Sequence, residues 1–134
     1  EFSRVLREGG RFCALWNPRY IEASPVLVEI ENKLREIVPE LKRKSSGRSG
    51  LTDTLQEKLE ASPHFQDAIY LEGKHVARQT PEHYIGLWWS VNDAQVQAGP
   101  ERFAQFMKFV EERTKNLQYI ETVYLTRAWT ALKA

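Results

Sequence analysis

A nearly continuous apolar segment close to the start of the chain narrows the range of possible folds. Gly9 and Gly10 supply the left-handed backbone geometry that ends a short helix, and Arg11–Trp16 follows with apolar side chains at almost every position. A strand that is apolar on both faces is typical of the interior of an α/β sheet, where helices cover each side. We therefore expect an α/β fold in which Arg11–Trp16 is a buried strand.

Two further strands are predicted from the residue pattern. Phe65–Gln79 is predicted to be a long strand that carries Ile69, Leu71 and Val76, with a bulge expected at Gly73. Residues 119–131 carry apolar or aromatic side chains on both alternating faces. This last pattern indicates a strand inside the sheet rather than at its edge.

A helical insertion is predicted between the first and second strands. Ser24 is the expected N-cap of a helix that reaches Val38, and Thr52 or Thr54 is the expected cap of a second, shorter helix. Together these segments make residues 17–62 a largely helical insertion.

Two later helix starts are predicted at Thr80 and at Gly99, each followed by Pro and Glu. Trp88 and Trp89 in the first of these helices point about 100° apart, so they cannot both face one core. Either each indole packs on a different buried face, or one of them lines a pocket or a partner surface.

Composition excludes several classes of function. The chain has 134 residues, and its 19 Lys and Arg nearly balance 18 Asp and Glu. No global charge therefore favours nucleic acid or an anionic membrane. The single cysteine fits a reducing compartment, and no apolar run approaches the roughly 18 residues that a membrane span requires. We expect a cytoplasmic protein with no nucleic-acid or membrane partner.

The first residues indicate a piece of a longer protein. The chain begins at Glu1, its only methionine is Met107, and the apolar helical face of Phe2, Val5 and Leu6 has no preceding N-cap. We expect the start of the chain to lie inside a larger sheet.

The two ends of the chain resemble one enzyme family. Residues 2–17 contain the pattern R-V-L-x-x-G-G-x-Φ, where Φ is apolar, followed by the strand that ends at Trp16 and Asn17. Residues 122–129, with Thr126, Arg127 and Trp129, are similar to a closing strand. These segments, in this order, resemble the C-terminal half of class I S-adenosylmethionine-dependent methyltransferases of the small-molecule branch.

The resemblance has implications for the fold and the cofactor. It implies a single domain over residues 1–134, the C-terminal part of a Rossmann-like sheet with three strands in the order first, last, middle. The last strand is antiparallel to both others, and residues 17–62 form a cap over the substrate side. The seven glycines do not form the Gly-rich cofactor turn that the family carries after its first strand. S-adenosylmethionine is therefore expected in the full-length protein, and this chain alone is expected to bind none and to be inactive.

The methyl acceptor is expected to be a small organic molecule held by aromatic and polar side chains. In open α/β sheets ligands lie beyond the carboxyl ends of strands. Trp16, Asn17, Arg19 and Tyr20 lie at that end of the first strand. A core or turn role is the alternative for Trp16 and Asn17, and a helix-end cap is the alternative for Asn92. The predicted substrate-binding residues are Trp16, Asn17, Arg19, Tyr20, Arg48, Trp88 and Asn92.

Other reactive side chains do not form a recognisable catalytic set. His64, His75 and His83 lack metal-ligand spacing, and a structural role for His75 is favoured over that of a general base. Cys13 is expected to be inert packing inside a buried strand. No catalytic base and no metal site is predicted, and the short basic run 42–48 is expected to form a substrate-covering loop rather than a nucleic-acid site.

A non-enzymatic function is the alternative. If the cofactor half is absent, Arg11–Trp16 exposes an unpaired edge, and an apolar edge strand pairs readily with another chain. The chain would then be a binding module that self-associates through its sheet edge.

Overall fold

The computed structural model describes residues 1–43 and 50–134. Within these ranges the chain is an α/β fold of three strands and five α-helices, and no described helix combines the length and the apolar character needed to cross a membrane. The elements are α1 (Phe2–Val5), β1 (Arg11–Trp16), a 3₁₀ turn (Ile21–Ala23), α2 (Pro25–Ile37), α3 (Leu51–Glu60), β2 (Phe65–Gln79), α4 (Pro81–Trp89), α5 (Asn92–Thr114) and β3 (Ile120–Lys133).

The three strands form one antiparallel sheet in the order β1-β3-β2. β1 pairs with β3 in a register that places Arg11 opposite Leu132 and Trp16 opposite Arg127. Both the predicted order and the predicted direction of the last strand are confirmed. The central position of β3 agrees with its burial, since of its fourteen residues only Glu121 and Thr126 are exposed.

The chain divides into two compact units. The first unit contains described residues 1–18, 50–75 and 125–134, and the second contains residues 19–43 and 76–124. β2 and β3 each contribute residues to both units. The assignment of residues 1–134 to a single domain stays a prediction.

The first unit has a small core built on β1, α3 and the end of β3. Leu55 and Leu59 lie one turn apart on α3, so both face the same side of that helix. They pack with Trp129 and Ala131 of β3 and with Ala14 of β1. Four partly buried residues extend this core, namely Phe12, Trp16, Phe65 and Ala68.

The prediction that β1 is buried on both faces is wrong. Only Ala14 is buried in this strand; Cys13 is exposed, and Leu15 is 67% exposed. The physical reason is that the core of the first unit packs against one face of β1 only, so Phe12, Ala14 and Trp16 point into it and the alternate residues do not. No described part of the chain covers the face that carries Cys13, so this thiol is not core packing.

The second unit has a larger helical core. Leu27, Ile30, Leu34 and Val38 recur every three or four residues along α2 and its C-cap, which produces one buried stripe as predicted. This stripe packs with apolar side chains of α4, α5 and β3. They are Tyr84, Trp88, Ala94, Ala98, Phe103, Phe106, Met107, Val110 and Ile120.

α5 is bent at Gly99, whose φ of 73° and ψ of 168° are not helical. The predicted helix start at this position is therefore correct for the second part of α5. The preceding turns from Asn92 to Ala98 are helical as well, which the sequence pattern does not predict. Gly99 is needed here because its backbone conformation is accessible almost only to glycine.

Helix caps differ in part from the sequence-based expectation. Thr80 accepts a hydrogen bond from the His83 backbone N–H at 3.2 Å, which confirms it as the cap of α4. α3 begins at Leu51 with Gly50 as its N-cap, so neither Thr52 nor Thr54 caps it. Threonine does not cap here because the helix starts before it, and the Thr54 hydroxyl donates back to the Gly50 carbonyl oxygen at 3.4 Å.

The backbone of β2 is left-handed at Asp67, with a φ of 49°, rather than at Gly73, where a bulge is expected from the sequence. Asp is among the few non-glycine residues that tolerate this conformation. At the other end of the chain, α1 is only four residues long, and Phe2 and Val5 are largely exposed.

Candidate functional site

The structure distributes the predicted site residues over both units. Trp16 and Asn17 lie in the first unit, Arg19, Tyr20, Trp88 and Asn92 lie in the second, and Arg48 lies outside the described residues. Within the second unit, the structure brings Arg19 and Trp88 together.

In the first unit, Trp16 and Asn17 make ordinary structural contacts. The Trp16 ring meets the Trp129 ring edge-on, with centroids 5.6 Å apart. The Thr126 hydroxyl donates to Asn17 Oδ1 at 2.8 Å, and Asn17 is otherwise exposed at the end of β1. Both residues therefore hold β1 against β3.

A second cluster of the first unit surrounds Arg127. Its guanidinium lies 4.8 Å from the Trp129 ring centroid, and its Nε donates to the Tyr70 hydroxyl oxygen at 2.9 Å. The Tyr70 hydroxyl donates to Glu72 Oε2 at 2.6 Å. Burial, together with the acceptor Glu72, raises the pKa of Tyr70. The Tyr70 hydroxyl therefore links the Arg127 cation to the Glu72 carboxylate.

In the second unit, Arg19 is held beside β3 by its backbone. Arg19 forms an isolated antiparallel bridge with Tyr124, and the next backbone N–H, of Tyr20, donates to the Val123 carbonyl at 2.7 Å. This bridge places the Arg19 guanidinium 5.7 Å from the centroid of the Trp88 ring. A cation at this distance from an indole face is stabilised by the ring quadrupole.

Trp88 lies at the centre of an aromatic and cationic cluster. α4 places Tyr84 one turn before it, with the two rings edge-on at 6.5 Å, and Phe106 of α5 meets it at 4.8 Å. Arg43 adds a second guanidinium 5.5 Å from its centroid. Trp89, by contrast, is 55% exposed, which confirms that neighbouring tryptophans cannot share one core.

The two arginines belong to a chain of alternating charges. Arg43 Nη1 donates to both carboxylate oxygens of Glu31 at 3.1 Å, and Arg43 Nε lies 3.5 Å from Asp93 Oδ2. Arg19 Nη2 is 3.5 Å from Glu31 Oε1. All four side chains are between 10% and 22% exposed, so the attraction is screened less than at a surface. Two cations and two anions make this network neutral as a whole.

A cavity of about 250 Å³ opens beside Trp88. Arg19 is the charged residue among those that line it, and α4 supplies an apolar wall with Leu87. We call this space the Trp88 cavity. Its remaining lining residues are Gln79, Tyr84, Ser90, Val91, Thr122 and Tyr124.

Three buried polar atoms around the Trp88 cavity find no hydrogen-bond partner within residues 1–43 and 50–134. They are Gln79 Oε1, Trp88 Nε1 and Thr122 Oγ1. Trp88 and Thr122 are each only 1% exposed. Buried polar groups in native proteins are almost always hydrogen-bonded. All three atoms have almost no solvent-accessible surface, so they are enclosed by the protein rather than open to the cavity.

Burial raises the pKa of Tyr84 to about 12. The nearby Trp88 indole N–H and the Arg19 and Arg43 cations act in the opposite direction, and Glu31 adds a smaller upward contribution. The indole N–H does not satisfy hydrogen-bond geometry toward any described acceptor. Tyr84 is therefore a neutral hydroxyl at physiological pH and not a general base.

Tyr20 and Asn92 do not line the Trp88 cavity. The Tyr20 side chain is exposed. Asn92 borders two shallow surface grooves along the start of α5, of about 370 and 440 Å³, with Val96 common to both. The larger groove also includes the exposed Trp89.

Histidines and carboxylates do not assemble into a reactive centre in the part of the chain that the structure describes. No group of three or more His, Cys, Asp or Glu side chains there could hold a metal ion. His64, His75 and His83 are all exposed.

Sequence reasoning misses several residues of this region. Glu31 lies one turn after Leu27 on the apolar stripe of α2, and a charge at such a position is a usable signal. Thr122 is a polar residue among the alternating apolar residues of β3, and Tyr84 lies one turn before Trp88. The sequence pattern assigns Arg43 to a solvated basic loop, whereas its side chain is 11% exposed. Its pairing with Glu31, twelve residues away, has no local signal.

No family model matches this chain, and no curated protein is significantly similar to it.

Proposed function

We propose that this chain is the acceptor-binding part of an S-adenosylmethionine-dependent methyltransferase that acts on a small molecule. The observation that carries the proposal is the strand arrangement, in which β3 lies between β1 and β2 and runs antiparallel to both. This order is the one that the R-V-L-x-x-G-G-x-Φ resemblance implies for the end of a methyltransferase sheet.

The exposed side of β1 supports the proposal that the enzyme has a second half. Leu15 is 67% exposed and Cys13 is exposed on the same face. β1 is also an edge strand, with β3 as its described partner. In the proposed full-length enzyme, further strands pair with β1 and helices cover Leu15, and that half binds the cofactor, which supplies an electrophilic methyl group.

The Trp88 cavity does not suit the cofactor itself. Its lining residues include no carboxylate that could bind ribose hydroxyls. The cavity suits a small acceptor instead.

The role that we assign to this half is to position the methyl acceptor. Methyl transfer to an acceptor that is already nucleophilic requires mainly that the two reactants be held in line. Arg19, whose side chain is 22% exposed, offers hydrogen bonds for orientation, and Leu87 offers an apolar contact. We place the enzyme in the cytoplasm, whose reducing conditions suit an exposed single thiol.

Titration calorimetry with S-adenosylmethionine tests this function. We expect no heat of binding with residues 1–134 and clear binding when the chain is extended by the upstream residues of its gene. Binding by residues 1–134 would contradict the assignment of the cofactor to another half. Absence of binding by the extended chain would overturn the methyltransferase proposal.

A self-association module is the second candidate, because β1 offers six residues of edge backbone beside the exposed Leu15. Here the partner is a second copy of this chain, paired strand to strand. Light scattering at micromolar concentration should then show a dimer, and Leu15→Lys should yield a monomer because a charge on an edge strand opposes pairing. A monomeric wild-type chain would exclude this candidate.

The extended chain separates the two candidates. If upstream strands cover β1, the extended chain is monomeric and binds the cofactor. If β1 serves to pair copies, the extended chain remains a dimer without cofactor binding.

A further inference from the structure

The larger of the two grooves along the start of α5 lies at the bend of that helix. Trp89 of α4 lines it, and its ring is 55% exposed although it meets the Phe103 ring edge-on at 5.2 Å. An indole that is held by packing and still exposed is typical of interaction surfaces, where tryptophan is enriched. We call this space the Trp89 groove. Its other lining residues come from both sides of Gly99, namely Asn92, Gln95 and Val96 before it and Pro100 and Phe103 after it.

The Trp89 groove offers hydrogen-bonding groups without charge. None of its six described lining residues is ionisable. Gln95 Nε2 donates to the Trp89 carbonyl oxygen at 2.6 Å, which fixes this amide beside the indole. Asn92 is exposed, and its side-chain amide binds no other residue in the described part of the chain. The groove therefore suits an uncharged apolar group that is flanked by hydrogen-bond acceptors.

The smaller groove presents a positive charge, and we call it the Lys42 groove. The Lys42 backbone N–H donates to Gln97 Oε1 at 2.8 Å, and Gln97 Nε2 donates to the Lys42 carbonyl oxygen at 2.9 Å. The Lys42 side chain is exposed, and within residues 1–43 and 50–134 its ammonium pairs with no carboxylate. Asp93, the other charged residue of this groove, is 13% exposed and lies 3.5 Å from Arg43 Nε. The exposed charge of the Lys42 groove is thus positive.

The size and shape of this surface favour a short extended segment. Six residues line the Trp89 groove and five line the Lys42 groove, with Asn92 and Val96 shared. Each side of a stable interface between folded proteins has about 20–30 residues. A tightly bound small molecule is mostly enclosed, whereas both grooves are shallow. Val96 is 71% exposed and borders both grooves, so the surface lacks the unbroken apolar channel that a helix needs.

We propose that the Trp89 and Lys42 grooves bind a proline-rich, acidic segment of a partner protein in the polyproline II conformation. This helix repeats every three residues, or about 9 Å, and leaves its backbone carbonyls without internal hydrogen bonds. A proline ring packs on the Trp89 indole, the Asn92 amide donates to a backbone carbonyl, and an acidic side chain on the next turn binds Lys42. This inference goes beyond the proposed function and does not depend on it.

Peptide titration of ¹⁵N-labelled residues 1–134 tests the proposal. The probe acetyl-PPEPPEPPE-amide has glutamate at every third position, so one side of its helix is acidic whichever direction it binds. We expect this probe to shift the Trp89 indole N–H signal saturably. The same peptide with glutamine in place of glutamate should bind about two- to fivefold more weakly, the usual contribution of one exposed ion pair. In about 1 M sodium chloride this difference should disappear.

A third probe tests the requirement for proline. Acetyl-AAEAAEAAE-amide keeps the acidic residues but lacks the proline rings and the preformed polyproline II helix. It should bind at least about tenfold more weakly than the proline probe, because ordering a flexible segment costs affinity.

Three variants make the test specific, with a fluorescein-labelled proline probe followed by anisotropy. Lys42→Gln should remove the preference for glutamate over glutamine, since its backbone can still bind Gln97; the control Lys108→Gln, exposed elsewhere on α5, should keep that preference. Asn92→Ala should weaken binding about three- to tenfold, the usual contribution of one hydrogen bond. Trp89→Ala should weaken binding at least about tenfold, with its melting temperature as the check on folding.

The proposal is overturned if the glutamate probe leaves the Trp89 signal unshifted, or if the alanine probe or acetyl-PPKPPKPPK-amide binds as tightly. Full affinity in the exposed-site variant Asn92→Ala would overturn it too. It is also overturned if the Trp89 signal shifts with protein concentration alone, because a second copy of the chain would then occupy the grooves. These outcomes leave the calorimetric test with S-adenosylmethionine unaffected, so the two proposals can fail separately.

Discussion

Arg43 Nη1 donates to both carboxylate oxygens of Glu31, each at 3.1 Å, across twelve residues of sequence. The carboxylate projects from the buried side of α2, and the Arg43 guanidinium also lies 5.5 Å from the centroid of the Trp88 ring. Because Arg19 approaches the same carboxylate only to 3.5 Å, Arg43 is the main counter-ion of Glu31.

Removal of Arg43 should destabilise the second unit. Arg43→Met keeps an aliphatic stem against Trp88 but leaves Glu31 poorly compensated, so the free energy of unfolding should fall by about 3 kcal/mol. The control Arg113→Met breaks the exposed ion pair with Glu29 and should cost less than about 1 kcal/mol. Urea denaturation measures both. Equal losses in the two variants would show that the Arg43 pair is not effectively buried.

The bend in α5 should depend on glycine at position 99. The backbone of Gly99 has φ 73° and ψ 168°, so Gly99→Ala should lower the free energy of unfolding by about 1–3 kcal/mol. Gly86 is its control, since it lies in the middle of α4 and a methyl group added there would meet open space. Gly86→Ala should raise stability by up to about 1 kcal/mol through helix propensity. Urea denaturation measures both variants. An unchanged free energy of unfolding in Gly99→Ala would contradict the bend.

The thiol of Cys13 should react while the chain is folded. Because Cys13 is exposed on β1, Ellman's reagent should modify it at low micromolar protein concentration at a rate close to that in urea. In a Cys13→Ser background, a cysteine placed by Ala14→Cys should react only on unfolding, since Ala14 is buried. If Cys13 required urea to react, the one-sided burial of β1 would be wrong.

The buried hydroxyl of Tyr84 should make the free energy of unfolding fall at high pH. Above pH 10 the unfolded chain releases the Tyr84 proton, whereas the folded chain retains it until the pKa of about 12. The unfolded state therefore binds fewer protons, and stability falls between pH 10 and pH 12 by about 2–3 kcal/mol.

Comparison with Tyr84→Phe isolates this contribution. The variant should lose less stability than wild type between pH 10 and pH 12 and should behave like wild type at pH 8. Absorbance at 295 nm should show one late-titrating phenol that the variant lacks. Identical pH profiles for the two proteins would contradict the burial of the Tyr84 hydroxyl.

Much of the fold follows from local patterns in the sequence. The bounds of β1 and β2, the buried stripe of α2 and the Thr80 cap of α4 are all predictable, because each depends on residues that are near one another along the chain. The separation of Trp88 from Trp89 likewise needs only helix geometry. The central position of β3 follows from apolar residues on both of its faces.

The candidate site is less accessible to sequence reasoning. Arg19 and Trp88 are among the predicted residues, but Gln79, Tyr84 and Thr122 are not. Each of these three side chains is unremarkable in its own segment. Their place in the site depends on the tertiary structure, which brings all three residues to the wall of one cavity.

By itself, the sequence determined the type and approximate bounds of nearly every helix and strand, and which residues of each helix are apolar enough to be buried. Tertiary structure alone decided that one face of β1 remains uncovered, that Glu31 and Arg43 form a buried pair, and that Arg19, Gln79 and Thr122 surround one cavity. The physical reason is range: helix and strand periodicity depends on neighbouring residues, whereas burial, ion pairing and unmet hydrogen bonds depend on distances between atoms that are far apart along the chain.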